Sequence, residues 1–162
     1  MNLAFGEMLR YTQEERDKWR VFFTTHPEAM EVEVQPAGRY PTIGALIDHI
    51  FLVERRHLQR LANEPVDTKT GLSGHHAAPL FDYGASVRRE LEQFASDLDD
   101  DDADEPRAFT VATGNFVLTP RKLLFHCLIH ETRHWAQIAL ALRRASVEPP
   151  GNHDLFFSKA LK

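Results

Sequence analysis

Basic residues are in deficit, cysteine is nearly absent, and long apolar runs are missing. The 162 residues carry 19 Lys and Arg against 24 Asp and Glu, a formal net charge of −5. Binding nucleic acid takes a basic stripe that neutralises phosphates, so that class is set aside. The single cysteine, Cys127, permits no disulfide within the chain, and a reducing, cytoplasmic setting is the expectation. No stretch approaches the roughly 18 apolar residues of a membrane span, so no membrane association is expected. Residues 1–7 lack a basic region followed by an apolar run, so no signal peptide is expected either. Histidine, in contrast, is plentiful: there are nine, and His126, His130 and His134 all fall within residues 125–134.

Hydrophobic spacing predicts four helices in one domain spanning 1–162. The first runs from Leu3 to about Thr25, with Leu9, Trp19, Phe22 and Phe23 inward and Glu14–Lys18 as its wet side. His26-Pro27 ends it. Thr42 looks like the cap of a second helix reaching about Leu61, with a short extended piece before it at Val32–Val34. A third spans about Leu80 to Leu98, and the acidic run Asp97–Glu105 reads as a solvated turn. Ala108–Thr119, centred on Gly114, reads as a small β-hairpin. Pro120 then opens a fourth helix running to about Ala145. On it Leu123, Cys127, His130, His134, Ile138 and Ala141 are expected to share the buried stripe. Leu155–Phe157 is an apolar patch suited to docking on the body. The result is an all-α four-helix bundle with a hairpin before its last helix.

The segment His130-Glu131-Thr132-Arg133-His134 carries the chemistry. Histidines four residues apart lie one helical turn apart on one face. Two imidazoles in a seam need partners, and one metal ion satisfies both. The competing reading is two separate histidines bonded to backbone or water. A third ligand is needed for a site with an open position. His49, at the edge of the second helix's stripe, and His57, two turns on, both qualify, and spacing alone does not choose. Cys127 reads as core rather than ligand.

The same segment matches the H-E-x-x-H pattern of zinc proteases, with Glu131 in the general-base slot. The metzincin continuation needs a histidine six residues on, where Leu140 stands. Only Glu148 and His153 remain downstream, near a Pro-Pro-Gly turn, and for the sheet edge along which such proteases lay a peptide the chain offers only a hairpin. A protease is therefore the weaker reading. Glu131 and Glu54 are expected to be solvated salt-bridge partners.

Two segments together resemble the DinB/YfiT-like superfamily. One is Thr42–Ile50, containing His49 and followed by Glu54. The other is Leu128–Ile138, a His-x-x-x-His with Gln137 three residues on. Where the family often has Arg-Gly before that Gln, this chain has Trp135-Ala136, a difference expected to alter a pocket wall or helix packing. The resemblance implies an up-down-down-up bundle, often a homodimer. It also implies His49, His130 and His134 as ligands to one divalent ion, nickel or zinc foremost. It further implies a metal-dependent enzyme acting on a small molecule, either a transferase using a low-molecular-weight thiol or a hydrolase. The alternative from another class is a non-catalytic metal-binding or stress-response helical dimer.

Overall fold

The computed structural model describes residues 4–35, 38–67, 76–111 and 113–160. Four long helices dominate: α1 (Phe5–Thr25), α2 (Ile43–Leu61), α3 (Ala77–Asp97) and α5 (Pro120–Arg144). Between the last two lie a five-residue helix α4 (Asp100–Asp104) and the strands β1 (Arg107–Val111) and β2 (Gly114–Leu118). The strands pair antiparallel, with Phe109 opposite Phe116. The start signals act as their chemistry dictates. The Thr42 hydroxyl accepts from the Ala45 N–H at the start of α2, and Thr119 accepts from Lys122 ahead of Pro120 in α5.

Two apolar layers fix the direction of each helix. One joins Trp19, Phe22 and Phe23 of α1 to Ile43–Phe51 of α2, Leu80 and Phe81 of α3, and Trp135–Leu142 of α5. The other joins Leu9 to Leu58, Leu61, Leu91, Leu123, Leu124 and Leu128. The C-terminal half of α1 therefore shares a layer with the N-terminal halves of α2 and α3 and the C-terminal half of α5. That is the up-down-down-up arrangement. α1 and α2 each pack against α3 and α5. Gly84 sits where α3 presses on α2, and a Cβ there would meet the Phe51 ring at 2.8 Å.

Four charged side chains separate the layers. Arg16, Glu54, Arg88 and Glu131 come one from each long helix and are all buried. Arg16 binds Glu131 at 2.5 and 3.0 Å and also pairs with Glu54. Arg88 grips Glu54 through two bonds of 3.0 Å and reaches Glu131 at 2.5 Å. The Gly84 carbonyl accepts from Arg16 and the Thr12 hydroxyl from Arg88, and the Trp135 Nε1–H donates to Glu131. Two positive and two negative charges cancel, and buried charge is tolerable only when paired this fully.

Several expectations are corrected here. Glu14–Lys18 is not a uniformly wet side, because Glu15 and Arg16 are buried within it. Glu54 and Glu131 are salt-bridge partners, but solvent does not reach them. The acidic run folds as α4, capped by Asp99, and Arg121 relieves its like charge by binding Asp104 at 2.7 Å and Asp100 at 3.1 Å. Leu155–Phe157 does not dock: it forms a single 3-10 turn, with Phe156 90% exposed. The tail is held instead by Tyr11, which donates to the His153 carbonyl, and by buried Ala160. The extended piece before α2 reduces to one bridge, Glu33 to Thr42. Leu3, where the first helix is expected to start, falls outside the described residues, as do residues 36–37 and 68–75.

Candidate metal centre

His130 and His134 project from α5 one turn apart toward α2, where His49 faces them. The His130 and His134 rings lie 4.3 Å apart between centroids, and His49 stands 5.0 and 5.1 Å from them. One nitrogen from each of the three falls within 4.8 Å of the others. The two α5 imidazoles face each other through Nε2 atoms 3.1 Å apart. The three rings are half-buried. Sequence spacing places His130 and His134 on the buried stripe. The observed stripe is rotated toward Leu124, Cys127, Leu128, Glu131, Trp135 and Ile138, which leaves the histidines at its edge.

The imidazoles are held ready as neutral ligands. Burial, then the neighbouring His130 and His134, pulls His49 down to about 3. Burial and His134 pull His130 down to about 4, and burial lowers His134 as well. The Gln137 amide oxygen accepts from the His134 Nδ1–H at 2.6 Å, which leaves Nε2 with its lone pair facing His130. Tyr40 stacks on His49 at 4.0 Å.

These residues fit a divalent ion. Zinc–imidazole bonds run about 2.0–2.1 Å, so two nitrogens on a tetrahedral ion lie about 3.3 Å apart. The 3.1 Å between His130 and His134 is close to that span. His χ2 is a broad torsion, so the His49 nitrogen can close the remaining gap by ring rotation. Three imidazoles leave a fourth position open.

The other candidates lie elsewhere. His57 is buried, its ring 5.3 Å from His126, beside an apolar cavity under the hairpin. His126 is 5.6 Å from His130, outside the three-ligand group. Burial pushes the Cys127 thiol well above its ordinary range, which keeps it a core residue. Glu148 is exposed, while His153 pairs with Glu15 and stacks on Trp19. Glu131 is 1% exposed and bound by two arginines. Burial pushes its carboxyl up, but Arg16 and Arg88 more than offset this and hold it below the usual value. It is not available to activate water, so the protease reading loses its base. Trp135, the departure from the family pattern, packs between Trp19 and Phe81 and supports the ion layer rather than the metal pocket.

A four-helix bundle with three convergent histidines in one interhelical seam defines a class of protein whose histidine triad could hold a metal ion. The model of the DinB family matches residues 1–160, and the chain belongs to the DinB family. Among curated proteins no match was found.

Two expectations follow. Gln137→Leu should weaken zinc affinity by about 10–100-fold, because the His134 tautomer is no longer fixed; competition titration against a chromogenic chelator reads this. The metal-free protein should also lose stability as pH falls from about 6.5 toward about 4. The unfolded chain takes up protons there that the folded imidazoles refuse, so acid favours unfolding. Thermal unfolding across that window should show a slope that shrinks in the His49→Ala/His130→Ala double variant. An unchanged slope would place the acid sensitivity in other groups.

Proposed function

We propose that this protein is a metal-dependent enzyme acting on a small molecule, with His49, His130 and His134 holding one divalent ion, nickel or zinc. The observation carrying this reading is the convergence of three neutral imidazoles beside a cavity of about 500 Å³ that His134 itself lines. An ion held by such ligands keeps its full charge and lowers the pKa of a water or thiol at its open position toward neutrality.

Thiol-dependent transfer is favoured over hydrolysis by what surrounds the histidines. Activating water calls for a nearby base, and Glu131 is committed to Arg16 and Arg88. Among the described residues, no Asp or Glu lines the cavity. A thiol, once ionised, is already a competent nucleophile and needs no further base. Leu46, Leu140 and Ala141 supply apolar walls for an organic co-substrate.

The test uses zinc- or nickel-loaded protein with a small thiol and 1-chloro-2,4-dinitrobenzene, following formation of the C–S bond and release of chloride. Turnover that requires the metal and disappears in His134→Ala supports the reading. Hydrolysis of p-nitrophenyl acetate without thiol transfer would make the protein a hydrolase. Tight metal binding with neither activity would favour a non-catalytic metal-binding role.

A further inference from the structure

We propose that the cavity beside the three histidines is an anion subsite, in which Arg39 and Arg144 hold a carboxylate or phosphate of a ligand whose other end reaches the histidines. This rests on the proposed function for the reactive end of the ligand and extends it to the distal end. The chain is acidic overall, at −5, yet this cavity is lined by two arginines and, among the described residues, by no acidic side chain. Arg16, Arg20, Arg55, Arg88 and Arg121 all form ion pairs with carboxylates. Among the described residues Arg39 and Arg144 form none, so their guanidinium forks are left for a ligand.

The Arg39 guanidinium lies over the Tyr40 ring at 5.5 Å, and Tyr40 in turn stacks on His49 at 4.0 Å. A guanidinium held over an aromatic ring still offers an N–H fork that can grip carboxylate or phosphate with paired bonds. Arg144 comes from the last turn of α5, on the face that already carries His134, Gln137 and Ala141 into the cavity. Ten residues of helix separate His134 from Arg144, roughly 15 Å of rise, and the arginine stem leans back toward the N-terminus and shortens the span. A ligand bridging both ends is therefore extended, with its anion several bonds from its reactive atom. The buried, fully paired Arg16 and Arg88 show the opposite use of the same side chain: their charge is consumed internally.

The probes are three thiols sharing a six-carbon chain: 6-mercaptohexanoate, 6-mercaptohexyl phosphate and 6-mercaptohexanol. Their dissociation constants are measured by calorimetry on the protein with and without zinc. The expected result is about tenfold tighter binding of at least one anionic thiol than of the neutral one. The better of the two identifies carboxylate or phosphate. The preference should fall to about twofold or less in Arg39→Gln/Arg144→Gln. It should persist in Arg133→Gln, which changes an exposed arginine outside the cavity, and neutral-thiol affinity should be unchanged in all variants. Equal affinities for the three thiols, or a preference that survives loss of both arginines, would overturn the anion subsite and leave the metal reading intact. Affinities that ignore zinc while keeping the anion preference would overturn the metal reading alone. No binding of any probe in either state would overturn the subsite.

Discussion

Glu131→Gln should destabilise the fold by about 3–5 kcal/mol, one of the largest single-residue effects in this chain. The substitution keeps the volume and removes one negative charge from a buried set of four. Arg16 and Arg88 would then share Glu54 alone, with an uncompensated positive charge between two apolar layers. The Trp135 N–H would keep an acceptor, so the loss isolates charge rather than packing. For a chain of this size that free energy corresponds to roughly 6–20 °C in Tm. Urea titration and thermal unfolding read it directly. A protease base would behave in the opposite way: its amide variant would keep stability and lose activity. A change below about 1 kcal/mol would mean that water reaches the site and relieves the charge.

The second large effect concerns the histidines. His134→Ala, His130→Ala or His49→Ala should each lower zinc or nickel affinity by at least about 100-fold, because a two-imidazole remnant holds an ion poorly. All three side chains are half-buried at the seam's edge, so the bundle should keep its fold and cooperative unfolding. His57→Ala is the matched control. It removes a buried histidine from the same helix whose ring faces His126, away from the three-ligand group, and affinity should change by less than about threefold. Loss of binding in His57→Ala with retention in His49→Ala would reverse the ligand assignment.

Much of the architecture is legible in the residues because its causes are local. The Thr42 and Thr119-Pro120 starts, the hairpin around Gly114 and the His-Pro stop each depend on a few neighbouring positions. Spacing also pairs His130 with His134. The choice of His49 over His57 is not local. It depends on the register of α2 against α5, and only the family resemblance favours it before the geometry is known. The ion layer is not legible in the sequence because its partners lie 34 to 115 residues apart. A charge on a helix reads as solvent-facing until its partners on other helices are known. A signal existed all the same. Arg16 stands between Thr12 and Trp19, Glu54 between Phe51 and Leu58, Arg88 between Gly84 and Leu91, and Glu131 between Leu128 and Trp135. Each is in line with its helix's own apolar stripe, and two bases and two acids so placed can neutralise one another in a core. The same cause separates the expected stripe on α5 from the observed one. Treating Glu131 as polar rotates the inferred inward face toward the histidines, whereas its burial rotates the true face away from them.

The most direct test of the central claim is the metal content of the untagged protein after equilibration with zinc or nickel and removal of free ion by gel filtration. About one ion per chain is expected, falling to less than about a tenth in the His49→Ala and His134→Ala variants. A wild-type protein that retains no ion, or variants that retain it undiminished, would contradict a metal centre at His49, His130 and His134.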